Sequence, residues 1–292
     1  YRFWPLTDAG IRMLGTLEHG FARLPHPRRV HVTETELGGV GVEVITPHGD
    51  PIASEQAGVP GSGDALLYLH GGAFLFCGTA THRRLCANLA DGLNMPVHSV
   101  RYRQLPVAGP GTAVEDAYAA YSALREQLPV GARIVVAGDS AGGFLAAKVC
   151  ELAALDGIAA PAALVGFSPL LDLDGEIADE SWSTRDAFQP ASTVRRAQQL
   201  WDRGPVRVRG ERSMLACAPE VFPPTFFTTA AHELVEPHAL TFTERLTAHG
   251  RVIETHRWRR GMHAFPVLAG LLPESRRAGE LAVDFIRRTL AN

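Results

Sequence analysis

The chain has 292 residues, 46% of them hydrophobic, enough for one large α/β domain or two small ones with a sizeable core. A formal charge of −3 at pH 7 gives no sign of a nucleic-acid partner, which would need a basic face, and no stretch is long and apolar enough to span a membrane. Four cysteines, Cys77, Cys86, Cys150 and Cys217, show no CxxC spacing and no paired histidines, which argues against a zinc site or a disulfide framework.

Residues 1–28 carry Trp4, Ile11, Met13, Leu14, Leu17 and Phe21 in roughly helical spacing, and Pro25 and Pro27 stop the run. Residues 30–37 and 40–46 alternate about Gly38-Gly39, which predicts a β-hairpin. Residues 48–64 are rich in Gly, Pro and Ser and read as a loop. Residues 65–69, ALLYL, form a short buried strand that runs straight into His70-Gly71-Gly72-Ala73-Phe74. A helix is expected over 81–92, a strand over 96–102, and a helix over 112–128 with Val114, Ala117, Tyr118, Tyr121 and Leu124 on one stripe. Cys77 lies close to the His70–Phe74 loop, so a reactive thiol is expected there; Cys86 and Cys150 fall in predicted helices as small buried residues.

The chain is organised around residues 132–154, ARIVVAGDSAGGFLAAKVCELAA. A β-branched run, Ile134-Val135-Val136, leads into Gly138-Asp139-Ser140-Ala141-Gly142, and a helix rich in Ala and Leu follows from Phe144 to Ala154. The G-x-S-x-G pattern between a strand and a helix is that of a nucleophile elbow. It exposes the Ser140 hydroxyl and sets the Ala141 amide at a helix N-terminus, where it can face a developing oxyanion. The bare motif also occurs by chance, and a strand–glycine loop–helix can cradle a phosphate; no Gly-Lys-Ser/Thr follows to make a Walker loop.

Beyond the elbow, 162–167 is a buried strand followed by Ser168-Pro169-Leu170-Leu171-Asp172. Residues 174–220 break the alternation, with a short helix expected over 192–202, and read as a lid over the site or as a surface excursion. Residues 224–230 form a strand with His232-Glu233-Leu234-Val235-Glu236-Pro237 at its end; a helix over 238–249, a strand over 252–258, the loop Gly261-Met262-His263-Ala264-Phe265 and a helix over 274–290 complete the chain. Strands alternating with helices imply a mainly parallel, doubly wound α/β sheet with the antiparallel hairpin at one edge. Ser140, the Gly71-Gly72 loop, Glu233 and His263 all fall at carboxyl ends of strands, where such sheets build their sites.

A nucleophilic serine needs a base, and the base an orienting carboxylate. His263 follows the last strand on a Gly-rich loop that lets its ring swing towards Ser140, whereas His256 lies within a strand and His238 and His249 bracket a helix. Glu233 stands just past the penultimate strand, the expected place for the acid; Asp172, and after it Glu236, are alternatives. The backbone N–H groups of Gly71, Gly72 and Ala141 are the expected oxyanion donors. Phe74, Phe76, Trp182 and Phe188 are candidate walls of an apolar pocket.

These motifs resemble the hormone-sensitive-lipase-like branch of the α/β-hydrolase carboxylesterases. The likeness runs from about residue 30 to the end. It is carried by His70-Gly71-Gly72-Ala73-Phe74, Gly138-Asp139-Ser140-Ala141-Gly142-Gly143, the Glu115-Asp116-Ala117-Tyr118 helix, Ser168-Pro169-Leu170 and Met262-His263-Ala264-Phe265. The resemblance implies Ser140 as nucleophile, His263 as base, Gly71, Gly72 and Ala141 as oxyanion donors, and a single α/β-hydrolase domain of about eight strands over 1–292. It also implies a helical cap made by segments at about 1–28 and 174–210. The family's usual Asp-Pro-Leu at the acid is here Glu233-Leu234-Val235, its Tyr-Arg-Leu-Ala-Pro-Glu becomes Tyr102-Arg103-Gln104-Leu105-Pro106, and its His-Gly-Phe is His263-Ala264-Phe265.

The expected reaction is hydrolysis of short- to medium-chain acyl esters, with no metal and no cofactor. Acyl transfer or amide hydrolysis by the same triad is the alternative, and non-catalytic small-molecule binding, as in the gibberellin receptors of this family, is a further one. The expected partner is a small-molecule ester; oligomeric state is open, a homodimer among the options. No signal peptide is visible, so a cytoplasmic location is expected, although a chain that begins at Tyr1 leaves a removed leader open.

Overall fold

The structure, a computed structural model, describes residues 6–48, 63–175 and 191–291. The elements in chain order are α1 (Asp8–Ala22), β1 (Val30–Leu37), β2 (Val40–Pro47), β3 (Ala65–Leu69), α2 (Thr79–Leu93), β4 (Val97–Val100), α3 (Pro110–Gln127), β5 (Ile134–Asp139), α4 (Ala141–Asp156), β6 (Ala163–Phe167), α5 (Ala191–Trp201), β7 (Thr225–Ala230), α6 (Glu236–Ala248), β8 (Ile253–Trp258) and α7 (Pro273–Ala291). The strands form one eight-stranded sheet in the order β1-β2-β4-β3-β5-β6-β7-β8. β1 pairs antiparallel with β2 and β2 antiparallel with β4; every other pairing is parallel.

The residues explain the layers. Every side chain of β3, β5, β6 and β7 is buried, as expected for strands covered on both faces. Alternation sends Leu67 and Leu69 to one face, against Tyr121, Phe144 and Leu145 of α3 and α4, and Leu66 and Tyr68 to the other, against Leu85 of α2 and Phe285 and Ile286 of α7. β1, at the edge, is buried only at its ends, Val30 and Leu37, and is exposed or half-buried between them.

From α2 onward the helices begin one to three residues earlier than the sequence reading places them, and for two of them the structure gives the reason. α4 begins at Ala141, three residues before Phe144. The intervening glycines read as loop, but a Cβ on Gly142 would lie 1.9 Å from the Leu69 carbonyl oxygen, so close packing on β3 and not turn geometry calls for glycine there. α2 begins at Thr79, because the Glu18 carboxylate of α1 accepts the amides of Ala80 (2.6 Å) and Thr81 (3.1 Å). A carboxylate at a helix N-terminus satisfies orphan amides and opposes the dipole. Because this one arrives from sixty residues upstream, local sequence gives no sign of it.

Candidate active site

At the end of β5 the chain turns through Ser140 at φ +50°, ψ −121°, outside the comfortable regions for a residue with a side chain. The turn is pinned on both sides: the Ser140 amide donates to the Phe167 carbonyl (3.0 Å), and the Ser140 carbonyl accepts the amides of Gly143 and Leu170, each at 2.9 Å. The hydroxyl is thereby held at the rim of the sheet, beside the N-terminus of α4.

His263, on the loop after β8, reaches that hydroxyl with Nε2 at 2.8 Å. Its Nδ1 lies 2.9 Å from Glu233 Oε2. The other Glu233 oxygen accepts the Ala230 amide at 3.0 Å. Nδ1–H donating to the carboxylate leaves the Nε2 lone pair facing the serine proton, the tautomer that general-base chemistry needs. Both side chains are almost fully buried. Burial pushes the Glu233 carboxyl up, and its hydrogen bonds with His263 and Ser168 only partly oppose that.

The other carboxylates are engaged elsewhere. Asp172 Oδ1 accepts the amides of Asp174 and Gly175 and closes the turn after β6. Glu236 accepts the His232 amide (2.8 Å) and pairs with Arg257 (2.5 Å). His256 packs its ring on Phe226, and His249 bonds the Arg245 carbonyl at the end of α6.

Of the three expected oxyanion donors the structure reassigns one. The Gly71 amide donates to Asp139 Oδ1 at 2.9 Å, so a carboxylate already occupies it. Among the described residues the amides of Gly72 and Ala141 find no acceptor, and both residues line the cavity beside Ser140. Sequence reasoning missed the role of Asp139 because the x of G-x-S-x-G carries no weight in the motif.

That cavity holds about 200 Å³. Its walls are mostly apolar: Phe76, Leu170 and Val235 on the body, Val194, Ala197 and Trp201 from α5, Val267 and Leu268 after the base. Phe76 stands where expected. Phe74 does not: fully buried, it packs edge-on against Phe144 and Trp201 behind the wall. Its position next to the Gly-Gly turn puts it under the loop and not on its outer side. Trp182 and Phe188 lie outside the described residues, as do Trp4 and much of the segment expected as a lid. Cys77 is half-buried and lines the cavity, where burial pushes its thiol up to about 12, away from the thiolate form on which the expected reactivity depends. Trp201, at the end of α5, ties that helix down by donating its indole N–H to the Ala73 carbonyl (3.0 Å).

Among the described residues, no group of three or more His, Cys, Asp or Glu side chains could hold a metal ion. None of their helices is long and apolar enough to cross a membrane.

Residues 66–267 match a protein-family model described as alpha/beta hydrolase fold. The chain is 34% identical over 244 residues to the carboxylesterase/phospholipase LipF of Mycobacterium tuberculosis, an alignment covering 80% of this chain and 64% of that protein. It is 36% identical over 234 residues to esterase LipU of the same organism, covering 78% of each. Among solved structures, a hormone-sensitive lipase from a metagenome library superposes with a TM-score of 0.80 at 26% identity, covering 98% of this chain and 93% of that one. The HSL-homolog EstE7, also from a metagenome library, gives 0.78 at 25% identity, covering 96% and 93%. The strand order, the serine–histidine–glutamate alignment at one rim and these likenesses agree, and the chain belongs to the hormone-sensitive-lipase-like carboxylesterase family of the alpha/beta hydrolase fold.

Proposed function

We propose that this protein is a serine carboxylesterase that hydrolyses short- to medium-chain acyl esters through an acyl-enzyme on Ser140. The observation that carries this reading is the His263 imidazole, bonded at once to the Ser140 hydroxyl (2.8 Å) and to the Glu233 carboxylate (2.9 Å). Relatives named as esterases support the bond class.

The ester carbonyl enters beside Ser140 with its oxygen towards the amides of Gly72 and Ala141. Ser140 Oγ attacks the carbonyl carbon while its proton passes to His263 Nε2, and Glu233 stabilises the imidazolium that results. The tetrahedral oxyanion is held by the two amides. It collapses as His263 protonates the leaving alkoxide; the alcohol departs and leaves an ester on Ser140. Water then attacks that ester, His263 takes its proton, and the carboxylic acid leaves as Ser140 regains the proton. A cavity of about 200 Å³ lies below the usual ligand-pocket range of ~300–1,000 Å³, which favours small acyl groups over lipid chains.

The test is turnover of p-nitrophenyl esters from acetate to dodecanoate, with covalent labelling by an organophosphonate. Activity is expected to be highest at short to medium chain lengths and to fall beyond. Ser140→Ala is expected to abolish labelling and lower kcat by roughly 10⁴-fold or more. Labelling that survives in Ser140→Ala ends this reading.

A further inference from the structure

The carboxylate of Asp139, the residue immediately before the nucleophile, is buried at the meeting of three elements. Its Oδ1 accepts the Tyr68 hydroxyl of β3 and the Gly71 amide, each at 2.9 Å. His82 of α2 approaches it with Nε2, 3.1 Å from Oδ1 and 3.3 Å from Oδ2. The fit to the loop is close: a Cβ on Gly71 would fall 2.2 Å from Asp139 Oδ2, so only glycine lets the carboxylate grip that turn.

The polar groups around His82 favour its charged form. Nδ1 lies 2.9 Å from Thr81 Oγ and 3.2 Å from the Gly78 carbonyl. The Thr81 hydroxyl spends its own proton on that same carbonyl (2.7 Å), so its oxygen meets Nδ1 as an acceptor. Nε2 meets a carboxylate whose every neighbour is a donor. With the Thr81 proton on the Gly78 carbonyl, both ring nitrogens face acceptors, and the doubly protonated ring satisfies both sides. A neutral ring would set one lone pair against an oxygen in a fully desolvated place, where an unsatisfied polar contact costs ~1–3 kcal/mol. The groups facing this ring are Asp139 of β5, Tyr68 of β3 (ring centroids 6.1 Å apart), His70 just past β3 (5.6 Å), Glu18 of α1 and Thr81 of α2. Burial alone would pull the imidazole down, but Asp139, the Gly78 carbonyl and Glu18 outweigh it and hold His82 above the usual 6.5. His70, by contrast, is driven down to about 3 by burial and by the His82 charge, and stays neutral.

We propose that His82 is a positioning residue of the esterase site: as an imidazolium it fixes Asp139, and through Asp139 it fixes the Gly71-Gly72 turn that offers an oxyanion donor. This rests on the acyl-enzyme reading, because it assigns the Gly72 amide a task in that reaction. One carboxylate then secures both halves of the site, since Asp139 is joined covalently to Ser140 and by hydrogen bond to the loop. The pair also accounts for the Gly71 amide, which is used to hold the turn and is not presented to substrate.

Two measurements test this. In ¹⁵N-labelled wild-type protein, the His82 ring, assigned through its contacts with Thr81 and Tyr68, is expected to keep two protonated nitrogens to a higher pH than a free imidazole titrated alongside; a ring that loses its proton no later than that reference overturns the proposal. In kinetics with p-nitrophenyl acetate, His82→Gln keeps a donor towards Asp139 but not the charge. It is expected to lower kcat ~10- to 100-fold with KM within about 2-fold, and to remove an alkaline limb that the wild type shows. Organophosphonate labelling of Ser140 should stay stoichiometric in that variant. An unchanged kcat and pH profile in His82→Gln overturns the proposal. A wild type that is neither labelled nor active overturns the acyl-enzyme reading instead, and the NMR result still decides the ion pair.

Discussion

The Ala264 amide donates to the Ser168 hydroxyl at 3.0 Å, and this bond joins the loop that carries the base to the strand end beside the nucleophile. Both residues stand in the left-handed region, Ser168 at φ +50° and Ala264 at φ +51°. A bond to the Ser168 hydroxyl also helps oppose the upward push that burial gives Glu233. One buried side chain thus touches the neighbour of the base on one side and the acid on the other.

Ser168→Ala is therefore expected to cost activity out of proportion to its size. The Ala264 amide loses its acceptor and Glu233 loses a donor, a buried loss of ~1–3 kcal/mol in stability. Looser alignment of His263 should lower kcat/KM roughly 10-fold, and loss of the Ser168 donor should move the acid limb of the pH profile upward. Thermal unfolding and a pH series of kcat/KM check both; a lowered Tm with an unmoved acid limb would reduce Ser168 to packing.

Replacing each carboxylate in turn separates the acid from its rivals. Glu233→Gln leaves the shape but removes the charge that orients His263, and kcat should fall roughly 10⁴-fold, as for the equivalent change in a serine protease triad. Asp172→Asn should leave kcat within about 2-fold, since Asp172 only closes a turn. Glu236→Gln should lower stability through its Arg257 and His232 contacts while sparing kcat. Steady-state kinetics beside chemical denaturation distinguishes the two kinds of loss.

The sheet and the convergence of Ser140, His263 and Glu233 were legible because they are written locally. Apolar β-branched runs mark fully covered strands, and chain order along a doubly wound sheet places the residues that follow them at one rim. What escaped the sequence depends on partners far along the chain. Asp139 takes the Gly71 amide only because β3 and β5 are adjacent, and Glu18 caps α2 only because α1 packs on it. Phe74 and Phe76 differ by two positions in a turn that is neither helix nor strand, so no periodicity could say which faced the cavity.

Buried histidines set the pH dependence of stability from both sides. Burial holds His98 of β4 down to about 4 and His70 down to about 3. Each is neutral in the folded protein but charged in the unfolded chain below about 6.5, so the unfolded state binds more protons and stability falls as pH drops through that window. With two such groups the loss should approach about 2.7 kcal/mol per pH unit between pH 6 and 4, as an order of magnitude. His82 has the opposite sign. Its contribution is complete below about 6.5 and is lost as pH rises through its raised value. Urea unfolding across pH 4–9 should show a maximum near neutrality. His98→Leu should flatten the acid side by about one proton and leave the alkaline side unchanged.

Trp201 ties chain-length preference to the position of the Gly-rich loop. Its ring lines the cavity and packs edge-on to Phe74 (5.6 Å), while its indole N–H holds the Ala73 carbonyl at 3.0 Å. Trp201→Ala removes both a wall and a tether. The wall term should favour longer acyl groups, raising the octanoate-to-butyrate ratio of kcat/KM roughly 10-fold, because the emptied volume accepts methylenes worth ~0.8 kcal/mol each. The tether term should lower kcat for every ester alike. Trp201→Phe keeps most of the wall and loses only the hydrogen bond, so its chain-length profile should stay near that of the wild type while kcat falls uniformly. If Trp201→Ala lowers all esters in the same proportion and leaves the ratio unchanged, the ring does not bound the acyl site, and its hold on Ala73 is its whole contribution.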